Sequence, residues 1–215
     1  MSKEELLEKI KEAVINIDDE EVERLTDEVI NSGISMVEAV EDGYTAGIRG
    51  VGEEFGKGNV FLPELVFAAE MVKESISLLE EKMPGQKADK IGTFVMGTVA
   101  GDIHDIGKDL VITMLSTNGI DVVDIGVDCP VDKFIDVAIE NDADIIGASA
   151  LLTMTIPELP KIVERMKERG VRDKFKFIVG GAAVSKEYAE KIGADGFGAD
   201  LKEAVDVTMS LLTGK

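Results

Sequence analysis

The chain has 215 residues, of which 45% are hydrophobic and 31% charged, and its formal net charge is −20. This composition is typical of a globular protein with one or two domains and excludes an intrinsically disordered chain. The negative charge disfavours nucleic acid as a partner, because it repels phosphate backbones. The charged N-terminus lacks the apolar core of a signal peptide, and no apolar stretch approaches the roughly 18 residues of a membrane span. The single cysteine cannot form an internal disulfide. We therefore expect a cytoplasmic protein with no membrane partner.

Residues 1–83 show only helical patterns. Apolar residues recur three and four positions apart, as on the buried face of an amphipathic helix. Each of four such segments has its own start signal, and Gly33 is suited to end the second. Short connections between four amphipathic helices predict a four-helix bundle. The start signals are Ser2 with Glu5, Asp18 with Glu21, Ser35 with Glu38, and Pro63.

The third predicted helix is unusual because it contains Gly43, Gly47, Gly50 and Gly52. Each glycine inside a helix costs up to about 1 kcal/mol relative to alanine. Either the helix is partly irregular there, or another surface approaches it closely. That surface is a neighbouring helix in one interpretation and a ligand in the other.

Residues 84–90, which begin Pro84-Gly85, resemble a linker and a candidate hinge. From residue 91 to 215 short β-type runs alternate with helical segments, which predicts an α/β domain with an open, five-stranded parallel sheet of the flavodoxin or Rossmann-like kind. The strands are predicted at 91–99, 121–125, 144–149, 174–179 and 196–197, and the helices at 107–117, 131–140, 156–169, 186–192 and 201–212.

The loop after the first strand contains His104, the only histidine in the chain. Ligands of open α/β sheets bind beyond the carboxyl ends of the strands. Asp102 could hold one ring nitrogen of His104 and leave the other for a metal. The chain lacks G-x-G-x-x-G and Walker sequences, and it has too few nitrogen and sulfur ligands for a usual zinc site. A lone histidine is better suited as an axial ligand to a metal that a macrocycle already holds.

Three separated motifs resemble the cobalamin-binding fingerprint of methionine synthase and its relatives. They are Asp102-x-His104-x-x-Gly107, then Ser149-x-Leu151 after 41 residues, then Gly180-Gly181 after a further 28. The stretch from Phe55 to Leu65 is similar to the helical cap that precedes the corrinoid domain in that family. With the sequence Gly43-Tyr44-Thr45-Ala46-Gly47, the chain most resembles the small corrinoid proteins of methylamine and methanol methyltransferase systems.

The resemblance implies that His104 is the lower axial ligand of cobalt, in place of the displaced benzimidazole of the corrinoid. Asp102 would hydrogen-bond His104, and Thr155 stands where methionine synthase has a serine that completes this relay. Gly180-Gly181 would leave space for the nucleotide tail, although an ordinary strand-to-helix turn also explains two glycines. The further residues implied to contact the cofactor are Gly101, Ile103, Asp105, Gly107, Ser149, Leu151, Thr153 and Ala199, with Phe55, Leu62 and Leu65 of the cap shielding the methyl group.

The same resemblance implies a non-catalytic carrier of methyl groups in methylamine metabolism, as in methanogenesis or acetogenesis. Its partners would be a substrate-specific methyltransferase, a second methyltransferase acting on coenzyme M or tetrahydrofolate, and a reductive activase. Three alternatives remain. They are the cobalamin subunit of an adenosylcobalamin-dependent mutase, a cobalamin-dependent sensor, and a flavodoxin-like domain that binds no corrinoid.

Overall fold

The computed structural model describes residues 1–83 and 90–214, and these fall into two compact units. Residues 1–83 with 117–119 form the first unit, and residues 90–116 with 120–214 form the second. The predicted linker at 84–90 lies, apart from Lys90, outside the described residues. Across the described ranges, no helix is long and apolar enough to cross a membrane.

The first unit is entirely helical. Ser2 forms the predicted capping box with Glu5, and Gly33 ends the second helix with a left-handed φ of 77°. Buried apolar side chains on one face of each long helix hold the unit together. The helices are α1 (Lys3–Ile15), α2 (Asp19–Ser32), α3 (Met36–Glu38), a π-helix (Ala39–Thr45), α4 (Ala46–Gly56) and α5 (Leu62–Lys82).

The predicted third helix differs from the structure, because it is divided into α3, the π-helix and α4. Its glycines face α1 closely. A β-carbon on Gly43 would lie 3.0 Å from Ile10, and one on Gly47 would lie 2.6 Å from Val14. Both open interpretations therefore apply: the helix is irregular, and the surface that approaches Gly43 and Gly47 is a neighbouring helix.

The second unit is the predicted five-stranded parallel sheet, with strand order β2-β1-β3-β4-β5. Consecutive residues of the central strands β1, β3 and β4 are buried, as expected when helices cover both faces of a parallel sheet. The strands are β1 (Gly92–Thr98), β2 (Ile120–Asp124), β3 (Ile145–Ser149), β4 (Lys176–Gly180) and β5 (Gly196–Gly198), and the helices are α6 (Ile106–Thr117), α7 (Val131–Glu140), α8 (Glu158–Glu168), α9 (Lys186–Ile192) and α10 (Leu201–Thr213).

The strand order reverses between β1 and β3. The chain passes from β1 outward to β2, and then returns to the other side of β1 to form β3. The register pairs Thr98 with Ser149 at the carboxyl ends of these two strands. The loops that follow β1 and β3 therefore leave the sheet side by side, and a crevice at such a point is the usual ligand site of this architecture.

Candidate functional site at the switch in strand order

Asp102 is the centre of a hydrogen-bond network between the loops that follow β1 and β3. Its side chain is fully buried. Oδ1 accepts hydrogen bonds from the ring Nδ1 of His104 at 2.7 Å and from the backbone N–H of the same residue at 3.1 Å. Oδ2 accepts from the backbone N–H groups of Leu151 and Leu152 at 2.8 and 3.2 Å, and it lies 2.8 Å from the Thr155 hydroxyl. A buried carboxylate is therefore fully hydrogen-bonded by two loops.

This network determines the ionisation of Asp102. Burial alone would raise the pKa of the carboxyl group, because it penalises the charged form. The hydrogen bonds from His104, Leu151 and Thr155 favour the charged form and outweigh burial, so they hold the pKa of Asp102 well below its usual range. Asp102 is thus an anion at neutral pH and a strong acceptor for the His104 ring.

The orientation of His104 follows from its contact with Asp102. Because Nδ1 lies against the carboxylate, the opposite ring nitrogen, Nε2, is left as the available metal ligand. The backbone of the same residue is also held, since the Thr98 hydroxyl donates to the His104 carbonyl at 3.1 Å. The side chain is nevertheless 48% exposed. The loop therefore presents an oriented, accessible imidazole, which suits a single axial bond to a metal.

Exposed apolar side chains lie next to His104 along the chain and in the segment that follows β3. Ile103 and Ile106 are each 71% exposed, and Met154 is 87% exposed. Leu151 and Leu152, beside the network, are also exposed. Exposed large apolar residues clustered on two adjacent loops are typical of a binding surface for an apolar ligand. Ile106, Leu152 and Met154 were not among the predicted site residues, although their position after switch-point strands was a usable signal.

The remaining predicted residues of the second unit lie along the same edge of the sheet. Gly101 has a left-handed φ of 79°, Asp105 is exposed next to α6, and a β-carbon on Gly107 would meet open space. Ser149 ends β3 and Thr153 is exposed in the following turn. Ala199 is exposed after β5, and its N–H donates to Glu203 at 2.9 Å.

The paired glycines Gly180 and Gly181 have a local structural reason. Gly181 has a φ of 114°, and a β-carbon there would lie 2.1 Å from the carbonyl oxygen of Ala150. A β-carbon on Gly180 would lie 3.2 Å from the carbonyl oxygen of Gly198. Close approach of neighbouring backbones therefore gives both glycines a structural reason, and their role in leaving space for a nucleotide tail stays a prediction.

The three predicted cap residues belong to the first unit and differ in exposure. Leu62, at the start of α5, is 37% exposed, Phe55 in α4 is half-buried, and Leu65 in α5 is buried. Leu62 is therefore the member of this set with the most accessible side chain.

The donor set fits a corrinoid better than a bare ion. Within 1–83 and 90–214, no group of three or more His, Cys, Asp or Glu residues could hold a metal ion. One oriented imidazole with exposed apolar neighbours matches a macrocycle that supplies the other metal ligands itself.

Comparison with known sequences identifies the family. A family model described as a B12 binding domain matches residues 92–206, and a second model with the same description matches residues 6–80. The chain belongs to the B12-binding domain family. The predicted resemblance is therefore confirmed, and it extends over both units. A flavodoxin-like domain without this family relationship is excluded.

Individual relatives of this B12-binding protein match nearly end to end. The trimethylamine corrinoid protein of Methanosarcina barkeri is 43% identical over 206 residues, which cover 95% of each chain. The dimethylamine corrinoid protein 1 of Methanosarcina mazei is 41% identical over 215 residues, covering 100% of this chain and 99% of that one.

Solved structures of B12-binding proteins have the same fold. A cobalamin-binding protein from Desulfitobacterium hafniense superimposes with a TM-score of 0.83 at 28% identity, covering 95% of this chain and 98% of that one. The methanol:cobalamin methyltransferase complex MtaBC from Methanosarcina barkeri gives a TM-score of 0.85 at 26% identity, covering 100% of this chain and 82% of that one. The predicted combination of a helical N-terminal part with a five-stranded parallel sheet is confirmed.

Proposed function

We propose that this protein is a methyl carrier that binds a corrinoid and presents it to methyltransferases of a methylamine system. The observation that carries the proposal is the 2.7 Å contact between Asp102 Oδ1 and His104 Nδ1, which occupies one ring nitrogen of the only histidine and leaves Nε2 to bind a metal. Full-length similarity to trimethylamine and dimethylamine corrinoid proteins supports methylated amines as the methyl source.

In this proposal, His104 would bind the cobalt of the corrinoid in place of its benzimidazole. A bound corrinoid supplies the cobalt atom that accepts and releases the methyl group. Asp102 keeps the His104 ring in one orientation, as outer carboxylates do for metal-bound histidines. Thr155 keeps Asp102 in place, because its hydroxyl lies 2.8 Å from Oδ2.

Other parts of the site have simpler roles. Gly101, Ile103, Asp105 and Gly107 form the cofactor side of the His104 loop. Phe55, Leu62 and Leu65 shield the methyl group from water in the proposal. The nucleotide tail is assigned to the edge of the sheet that carries Ser149, Leu151, Thr153, Gly180, Gly181 and Ala199.

The partners follow from the role of a carrier, which needs one enzyme to load the methyl group and another to receive it. A substrate-specific methyltransferase loads the methyl group, and a second methyltransferase transfers it to coenzyme M or tetrahydrofolate. A reductive activase restores the cofactor after accidental oxidation. The match of MtaBC, a methyltransferase complex by its description, supports pairing with such enzymes.

The competing interpretation is the cobalamin subunit of an adenosylcobalamin-dependent mutase. The helical unit favours the carrier, because residues 6–80 match a B12 binding domain of their own. A carrier needs such a unit to protect a reactive group between two partners.

The decisive experiment is a visible absorption spectrum of the protein loaded with hydroxocobalamin and desalted, compared with His104→Ala. We expect near-stoichiometric corrinoid with a histidine-ligated spectrum in the natural protein and a base-off spectrum in the variant. Loss of all corrinoid from the natural protein on desalting would contradict corrinoid binding. Identical spectra would leave binding intact and remove the role of His104.

The methyl-carrier part is tested with the same loaded protein after chemical reduction. Mixing with a trimethylamine or dimethylamine methyltransferase and isotopically labelled substrate should give about one labelled methyl group per bound corrinoid. Isomerase activity with adenosylcobalamin, without methylation, would favour the mutase subunit instead.

A further inference from the structure

The segment that follows β2 runs beside the loop that carries His104. The backbone N–H of Thr98 donates to the Gly126 carbonyl at 2.9 Å, and the Cys129 N–H donates to the Thr98 carbonyl at 3.0 Å. An isolated parallel bridge joins Val99 to Cys129. Pairing between β1 and the segment after β2 thus continues past the ends of both strands, up to the start of the His104 loop.

Asp128 makes two contacts at the point where this segment meets the loop. Its side-chain Oδ1 accepts a hydrogen bond from the Gly101 N–H at 2.7 Å. Its own backbone N–H donates to the Asp102 carbonyl at 2.9 Å. One residue therefore holds the backbone of two consecutive residues of the loop, through one side-chain bond and one main-chain bond.

The backbone of Asp128 is in an uncommon conformation that suits this contact. Its φ is 51°, in the left-handed region that disfavours most residues with a side chain and that aspartate and asparagine tolerate best. Gly101, its partner, also has a left-handed φ of 79°. Both contacting residues thus adopt special conformations, and this indicates a constrained junction.

We propose that Asp128 is a positioning residue for the metal ligand His104. The inference rests on the proposed function. Asp102 orients the imidazole, and the position of Asp102 depends on its backbone. Asp128 holds this backbone at the Asp102 carbonyl, whereas Leu151 and Thr155 hold the Asp102 side chain. Without this contact the loop between Gly101 and His104 loses a fixed end, and the imidazole is less well directed at the metal.

Three variants separate the side-chain bond from the backbone conformation. Asp128→Asn keeps an acceptor oxygen for Gly101 and tolerates a positive φ. Asp128→Gly keeps the backbone conformation and removes the acceptor. Asp128→Ala removes the acceptor and also disfavours the backbone conformation. A positioning role predicts normal behaviour for the asparagine variant and defects in the other two.

The strength of His104 ligation is measured by cyanide titration of each protein loaded with hydroxocobalamin. Cyanide first occupies the upper face, and a further cyanide gives the spectrally distinct dicyano form only by displacing the lower ligand. At equal corrinoid occupancy, the cyanide concentration for half-conversion should fall about fivefold in Asp128→Gly and Asp128→Ala, as the loss of one ordinary hydrogen bond would give. The asparagine variant should match the natural protein.

Two results separate failure of this inference from failure of the proposed function. If His104→Ala and the natural protein convert at the same cyanide concentration, His104 is not the ligand. The inference then fails together with the role of His104 in the proposed function, while corrinoid binding stands. If His104→Ala converts more easily but Asp128→Gly matches the natural protein, only the role of Asp128 is overturned.

A second measurement needs no corrinoid. Amide hydrogen exchange at Gly101 should be faster in the glycine and alanine variants of Asp128 than in the asparagine variant. Equal exchange in all the proteins would also overturn the inference.

Discussion

Asp102 combines complete burial with a negative charge, which is stable only because all its acceptor positions face donors. Its two oxygens receive hydrogen bonds from the loops after β1 and β3. A buried carboxylate that loses one donor retains the cost of burial without its compensation. Small changes at its neighbours should therefore have measurable effects.

Thr155→Val removes the hydroxyl beside Asp102 and keeps the size of the side chain. The Thr155 hydroxyl also lies 2.9 Å from the Leu152 carbonyl, so its removal eliminates contacts with both Asp102 and Leu152. We expect the free energy of unfolding to fall by about 1–2 kcal/mol. The melting temperature, measured by circular dichroism, should then fall by roughly 3–6 °C. Thr155→Ser keeps the hydroxyl and is the matched control. Equal melting of the valine and serine variants would show that the hydroxyl contributes nothing.

Tyr44 is a second buried polar residue, in the first unit. Its side chain is fully buried, and its hydroxyl lies 2.7 Å from the Thr26 hydroxyl, which donates to the Val22 carbonyl. Burial raises the pKa of Tyr44 to about 12, although the hydrogen bond with Thr26 opposes this shift. The folded state therefore favours the neutral phenol.

This pKa predicts a loss of stability at alkaline pH. An unfolded tyrosine ionises near pH 10, whereas Tyr44 in the folded protein ionises near 12. The contribution of neutral Tyr44 to the free energy of unfolding is therefore complete below about pH 10 and decreases as the pH rises toward 12. Tyrosinate absorbance at 295 nm measures this in Tyr188→Phe, which leaves Tyr44 as the only tyrosine. Ionisation of the folded variant near pH 10 would contradict the prediction.

At the scale of elements, the packing of α4 on α1 depends on glycine at selected positions. A β-carbon on Gly47 would meet Val14 at 2.6 Å and the backbone carbonyl of Lys11 at 3.2 Å. A β-carbon on Gly50 would meet the outer atoms of Ile15 at 2.7 and 2.8 Å, while Ile15 Cβ is 4.0 Å away. The first contact involves the Lys11 backbone and the Cβ of buried Val14, whereas the second involves only outer atoms of Ile15, a partly exposed side chain at the end of α1.

Gly47→Ala and Gly50→Ala should therefore differ in stability. Both gain helix propensity of up to about 1 kcal/mol. Gly47→Ala must also move α1, and we expect its free energy of unfolding to fall by a net amount of about 1–3 kcal/mol. Gly50→Ala, the matched control on the same helix, should be within about 0.5 kcal/mol of the natural protein. Thermal unfolding measures both, and an equal effect would show that α1 adapts to either site.

The elements differ in how well the sequence predicts them. Period and capping residues place α1, α2 and the alternating strands and helices of the second unit within a few residues of the observed bounds. The division of the third helix was not predictable from periodicity, because a π-helix changes the spacing of side chains only locally. The glycines indicated the irregularity without showing its form.

At the scale of the whole molecule, the site combines predictable and unpredictable parts. His104, Asp102 and Thr155 were identified from motifs, and the structure brings these three together. Asp128 was not identified, because its contact with Gly101 depends on which loops the strand order makes neighbours. No local pattern around Asp128 indicates that its side chain reaches Gly101, 27 residues earlier.

Charge is also distributed unevenly over the molecule. Residues 1–83 contain 21 acidic and 8 basic residues, a difference of −13 within a total of −20. The helical part therefore carries most of the negative field, which favours encounter with basic protein surfaces and is weakened by salt.

The network around Asp102 has a consequence for the order of folding. Its donors Leu151 and Thr155 lie 49 and 53 residues away along the chain. They arrive only when β3 pairs with β1, a non-local step that is slow because a long loop must close first. Until then the Asp102 carboxylate lacks these donors and stays hydrated. The hydrogen-bond network that holds Asp102 beside His104 is therefore completed only by the late steps of sheet assembly.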